Sequence, residues 1–289
     1  MFFLRNLVSR KNQDAWRKHR RSCFCISPST LEIVSGIVGR MKTNRQSSKS
    51  AFVEILLLFS PALPAYLWLW PNVQGTRWIE LAQIITYIYF LGGSLFIGLR
   101  RWNLDQLGLN RNGIIMSVLL GLVFILGRTL AYSSTNLPFE LQPFSLTRVG
   151  GEILFYFLLV GFVEELLFRG LIYRTFKNWR GVPLAIWGST FMFGIYHIGS
   201  QGLLGALGTA IIGLIFAVIR WRADGILGLA FIHGLTDFIA IETQPSMDLT
   251  HLSHIQIDEP ILLIFSYILL FGPVIYLWKG YHPRNQIEG

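Results

Sequence analysis

Gly161-Phe162-Val163-Glu164-Glu165-Leu166-Leu167-Phe168-Arg169-Gly170 places two adjacent carboxylates and an arginine inside a run that otherwise reads as a membrane span. A charge at the centre of a bilayer costs at least ~2.5 kcal/mol. Three of them in six residues need compensating partners, a water-filled cavity, or both, so such residues read first as functional. Where the rest of the chain supplies those partners decides how it must fold.

The chain has 289 residues, 52% hydrophobic and only 14% charged, with a mean hydropathy of +0.49. Soluble domains carry roughly 25% charged residues, so one polytopic membrane domain is expected in place of one or two soluble ones. The net charge of +9 resides in residues 1–50, which hold eleven Lys/Arg against Asp14 and Glu32; residues 51–289 are balanced. That segment reads as a basic, disordered cytoplasmic tail held beside anionic lipid, not as a nucleic-acid binder. Cys23 and Cys25 are separated by one residue, too tight for a relaxed disulfide. No signal peptide is evident. Met41-Lys42-Thr43, ahead of a polar linker and a span, would itself serve as a start, leaving residues 1–40 as a tail or an over-extended reading frame.

From residue 51 onward eight continuous apolar runs approach the ~20 residues that a helix needs to cross ~30 Å of hydrocarbon. They cover 51–70, 78–99, 113–132, 149–176, 182–198, 203–219, 225–241 and 260–278. None alternates with period two, so helices and not barrel strands are expected. The fold class is therefore all-α, a polytopic bundle of about eight transmembrane spans occupying residues 51–280, with a short C-terminal tail at 281–289. Pro61 and Pro64 predict a kink in the first span. Ten loop Lys/Arg, Arg220 among them, fall on the side of the N-terminus, and only Arg77 and Arg148 on the other. The positive-inside rule then puts both termini in the cytoplasm. Trp70, Trp78, Trp102, Trp179, Trp221 and Trp278 lie at span ends, as an aromatic belt would. The small residues of the sixth span (Gly202, Gly205, Ala206, Gly208, Thr209, Ala210, Gly213) predict close helix packing.

Glu54, Glu80, Arg128, Glu152 and Asp224 lie near span ends and are expected to snorkel. What remains deep is Glu164, Glu165 and Arg169 in the fourth span, His197 in the fifth, and His233 and Asp237 in the seventh. At ~1.5 Å per residue, Glu164, His197, His233 and Asp237 lie ~20, ~21, ~17 and ~22 Å from their cytoplasmic ends, so three helices deliver them to one slab. Glu165 and Arg169 are i,i+4 with the acid N-terminal, the favourable order for an ion pair. Glu164 is rotated ~100° from Glu165 and points elsewhere. His233 and Asp237 share a face, and Phe193 precedes His197 by one turn. The expected arrangement is an internal Glu165–Arg169 pair, with Glu164, His197, His233 and Asp237 converging on one polar pocket. Such a pocket suits a catalytic or a transport site.

Glu164-Glu165-x-x-x-Arg169, Phe193-x-x-x-His197 and His233-x-x-x-Asp237 resemble, in order and spacing, the three motifs of the CPBP family of intramembrane proteases, which includes the type II CAAX prenyl endopeptidases and the bacterial Abi-type proteins. A wider likeness in hydrophobic profile, with Asp105-Gln106-Leu107-Gly108-Leu109 ahead of the third span, covers residues 51–280. The resemblance implies an intramembrane endopeptidase with Glu164 as general base, His197 orienting the water, and His233 with residue 237 facing the oxyanion. Glu165, Arg169 and Phe193 would support that site. Position 237 departs from the prenyl endopeptidases, which carry Asn there. An ionised Asp would repel an oxyanion, so Asp237 must be protonated, be paired with His233, or belong to a metal site.

Two His and one or two carboxylates could hold zinc with an open position, but there is no His-Glu-x-x-His run, and a cofactor-free glutamate mechanism is expected. The implied partners are a membrane-anchored peptide or protein, CAAX-type and prenylated in the reference branch, and the lipid bilayer. The implied location is a bacterial plasma membrane with the site inside the bilayer. Two other classes carry the same residues: a non-proteolytic immunity or scaffold protein, and a proton- or ion-coupled transporter. No discontinuous-helix repeat supports the transporter.

Overall fold

The computed structural model describes residues 48–61, 78–135, 141–243 and 256–279. All belong to one compact unit, Arg45–Gly289. The other unit, Met1–Asn44, lies outside the described residues. So do Cys23 and Cys25, Pro64 and Trp70 of the first apolar run, and the 281–289 tail.

Every regular element among the described residues is a helix. We number them α1 (residues 48–59), α2 (Trp78–Leu99), α3 (Ile114–Ser133), α4 (residues 146–180), α5 (Val182–Ala223), α6 (Leu227–Thr243) and α7 (Pro260–Lys279). Four of these, α2, α3, α5 and α7, are long and apolar enough to cross a membrane. α1 gives way to a turn at Ser60 and Pro61, as expected where a proline has no N–H to continue the ladder.

α4 is the axis of the molecule. It is a continuous rod whose hydrogen-bond pattern widens twice into π-helix, at Phe155–Gly161 and at Leu166–Ile172. Between the two lies the single α-helical turn Phe162–Glu165 that carries both glutamates. From 163 to 173 every residue is buried. α6 packs against the first π segment, and α2 and α5 against the second. α3 backs α6, and α7 lies along α3. The outer helices turn apolar side chains outward: Ile85, Phe96, Ile115, Leu119, Ile264 and Phe265 are all exposed. That is the arrangement expected where the surrounding solvent is hydrocarbon and not water.

The 42 residues of α5 would span ~63 Å if straight, twice the hydrocarbon thickness. Gly202 resolves this with φ 66° and ψ −177°, a conformation that costs glycine least. The chain folds back there. A Cβ on Gly194 would come within 2.9 Å of Ala210, and one on Gly213 within 2.8 Å of Phe193, so the two halves of α5 pack side by side. The small-residue stripe is thus divided: Ala206, Ala210 and Gly213 pack, whereas a Cβ on Gly208 or Gly202 would meet open space.

The structure corrects two expectations about polar and aromatic residues, at Arg220 and at Trp102, and gives protein partners to several of the side chains expected to snorkel. Arg220 is not a loop cation but is buried, its Nε donating to the Arg169 carbonyl at 3.1 Å and its Nη1 to Asp224 at 3.2 Å. Of the side chains expected to snorkel, Glu54 pairs with Arg101. Glu152 pairs with Arg148, which also binds Glu242. Arg128 donates to the Thr236 carbonyl at 3.1 Å. Trp102 is buried in the core and Trp221 packs edge-on to Trp278, whereas Trp78 is exposed as a belt residue would be.

Candidate active site

The site begins with a close approach of two backbones. A Cβ on Gly161 would lie 2.4 Å from the Ala230 carbonyl oxygen, and one on Gly234 would lie 2.7 Å from the Tyr156 carbonyl oxygen. Only hydrogen at both positions lets α4 and α6 touch there. One turn along α4 from Gly161 is Glu165; next to Gly234 is His233. The glycine contact therefore sets the reach between the glutamate pair and the histidine.

Glu165 is fully buried and its Oε1 receives two donors. Arg169 Nη1 donates at 3.1 Å and His233 Nδ1 lies at 2.9 Å. The expectation of a private Glu165–Arg169 pair is thus extended, because Glu165 also fixes the ring of His233. Arg169, equally buried, gives Nη2 to the Gly213 carbonyl at 3.1 Å and lies 4.3 Å over the Phe193 ring. Its own carbonyl sits in the second π segment, where the i→i+5 pattern leaves main-chain acceptors over, and takes the Arg220 donor noted above.

Glu164 faces the other way, as the 100° rotation requires. Its Oε2 is 3.8 Å from His197 Nε2 and 3.6 Å from His233 Nε2. His233 Nε2 is in turn 3.5 Å from Asp237 Oδ2. His197 Nδ1 is 2.9 Å from the Phe193 carbonyl. A carbonyl can only accept, so Nδ1 carries a proton and Nε2 is the nitrogen that faces Glu164. Phe193 packs edge-on to both imidazoles, with ring centroids at 4.6 Å from His197 and 6.0 Å from His233. The structure brings all seven singled-out residues together from three helices.

One neighbour was missed. Tyr87, on α2, donates its hydroxyl to Glu164 Oε1 at 3.0 Å. A tyrosine in an apolar span carries no signal that separates it from belt or core tyrosines. The other glutamate oxygen, Oε2, is buried and has no hydrogen-bond partner in the protein. Separations of 3.6–3.8 Å exceed direct hydrogen bonds. Among the described residues no group of three or more His, Cys, Asp or Glu is spaced to hold a metal ion.

The residues match a known family model. Residues 149–239 fit the type II CAAX prenyl endopeptidase Rce1-like family, a stretch that contains the glutamate pair, both histidines and Asp237. The chain is also 30% identical over 195 residues to an uncharacterized 24.3 kDa protein of Escherichia coli, covering 57% of this chain and 87% of that one. No solved structure matches.

Proposed function

Because this chain belongs to the CPBP family of CAAX-type membrane proteases, we propose that it is an intramembrane endopeptidase in which Glu164 is the general base. The observation that carries the reading is Glu164 Oε2: buried, without a hydrogen-bond partner in the protein, and within 3.8 Å of two imidazole nitrogens. A carboxylate in that position can take a proton from a water that His197 Nε2 also holds. A water has two protons, and two acceptors on one side leave a lone pair free for a carbonyl carbon. The attack moves one proton to Glu164 and builds an oxyanion, which Nε2–H of His233 would face in its imidazolium form, its Nδ1–H being given to Glu165. Glu164 then returns the proton to the amide nitrogen as the C–N bond breaks, leaving a carboxylic acid and an amine.

Asp237 fits an orienting role on His233 better than a donor role toward the oxyanion, since it stands 3.5 Å from Nε2. Glu165 orients the same ring from its other nitrogen. The reading needs no metal. The substrate proposed is a membrane-tethered peptide or protein, of the prenylated CAAX type in the reference branch of the family. The topology proposed with it has eight crossings, counting α5 twice at Gly202, with both termini cytoplasmic. The helical runs and the bias of loop Lys/Arg support it. Residues 51–280 then form the protease domain, with residues 1–50 as a cytoplasmic anchor.

The test is cleavage of a quenched, lipid-tethered peptide by the protein in nanodiscs. Glu164→Ala and His197→Ala should insert normally and lose activity by ~10²-fold or more, the usual weight of general-base chemistry. Unchanged cleavage in either would sink the mechanism, and loss of wild-type activity under stringent chelation would replace it with a metal-dependent one. Comparative proteomics of membrane-protein termini, wild type against Glu164→Ala, would name the substrates.

A further inference from the structure

Glu164 has two oxygens, and the chemistry proposed above uses one. Nothing on α4 itself decides which. The terminal carboxylate torsion is broad and nearly two-fold, so the helix leaves it soft. Tyr87 holds Oε1 by a hydrogen bond of 3.0 Å, and Oε2 is left facing the two histidines. The tyrosine ring is braced by an edge contact to Phe155, with centroids 5.9 Å apart. Its helix neighbours Ile85, Ile88 and Tyr89 are exposed on the outer face. Tyr87 thus lies on the inner face of α2, with Phe90, Ser94 and Ile97 buried further along it, and is turned onto the proposed base.

We infer that Tyr87 is a positioning residue for the Glu164 base, fixing which carboxylate oxygen meets the water and favouring the ionised form by donating to it. This deepens the reading of Glu164 as general base and rests on it. The physics is direct. A hydrogen bond to a charged acceptor stabilises the charged form, and in a low-dielectric site that effect is strong. The bond also removes a rotational freedom that would otherwise let Oε2 swing away from His197 and His233. The other charged and titratable groups around Glu164 are Glu165 and Arg169 on α4, His197 and Tyr196 on α5, and His233 and Asp237 on α6, with Arg128 on α3 behind Asp237. Among the described side chains, Tyr87 is the one that donates a hydrogen bond to Glu164.

Tyr87→Phe keeps the ring and its contact with Phe155 and deletes the hydroxyl, which meets Tyr196 as well as Glu164. In the full chain in nanodiscs, with a quenched tethered peptide, kcat should fall at least about tenfold while KM holds within about twofold, in line with the loss of one hydrogen bond to a charged group. The acid limb of the kcat/KM profile should move up by about one pH unit, since the base loses a group that favoured its ionised form. A wild-type profile, or a uniform loss of activity with the acid limb in place, overturns the inference and leaves Tyr87 as packing. If Tyr87→Phe does not fold, 3-fluorotyrosine at position 87, of nearly the same shape and a stronger donor, should move the acid limb down; an unmoved limb has the same overturning force. Glu164→Ala is measured alongside. If it cleaves with the wild-type profile, the base assignment fails whatever Tyr87 does. If it is inactive and Tyr87→Phe is indistinguishable from wild type, only the positioning role fails.

Discussion

α7 and the middle of α4 are both helical, both apolar by composition and nearly opposite in what they do. α7 buries only Ser266 and exposes Ile261, Ile264, Phe265 and Ile268. The 163–173 stretch of α4 is wholly buried and contains two carboxylates and a guanidinium. In a membrane protein, apolar side chains are no mark of the interior, because lipid accepts them as readily as a core does. The mark of the interior is the polar residue, since only protein can supply its partners. Two glutamates therefore locate the centre of this molecule better than any hydrophobic count.

The comparison can be broken hardest at Arg169. Arg169→Met leaves Glu165 buried beside His233 with its cation gone, which for a broken buried pair costs ~3–5 kcal/mol. Thermal unfolding in nanodiscs should fall accordingly, whereas Ile264→Ala on α7 should stay within ~0.5 kcal/mol of wild type. Equal effects from the two would remove the distinction between the helices.

A subtler break lies in the glycines. Gly161→Ala places a methyl 2.4 Å from the Ala230 carbonyl and must push α4 and α6 apart. It should lower stability by ~1–3 kcal/mol, as overpacking does, and activity along with it. Gly208→Ala meets nothing within 4 Å and should be neutral in both assays. A neutral Gly161→Ala would mean that the backbones need not touch for the site to form.

The smallest effect is expected where α4 begins and α6 ends. Arg148 bridges Glu152 and Glu242 there. Its hydrogen bond, followed by that shared with Glu152, holds the Glu242 carboxyl below the ordinary range. A lowered carboxylate contributes stability above its unfolded value and loses it as pH falls through the folded one. Opening of this end, followed by hydrogen exchange at residues 240–243, should therefore rise only below about pH 4, and Glu242→Gln should show the open behaviour at all pH. Exchange that does not depend on pH in the wild type would show that the clamp holds nothing.

Much of this was legible beforehand. The apolar runs fell within a few residues of the helices at 78–99, 114–133 and 260–279, because length and hydropathy are local properties. The i,i+4 spacing of Glu165 and Arg169, the facing of Glu164 away from them, and the shared depth of His197, His233 and Asp237 follow from helix geometry that the chain carries in its numbering. What could not be read was every decision between helices. Two π segments around the glutamates leave no trace in composition, since they answer to the packing of α6, α2 and α5. The second donor on Glu165, the Arg220 bond to the Arg169 carbonyl and the hydroxyl of Tyr87 on Glu164 all join residues 51 to 77 positions apart. Depth along a helix is fixed by counting residues. Which oxygen meets which nitrogen is fixed by how closely two helices approach, and here a pair of glycines and the tertiary structure decided that.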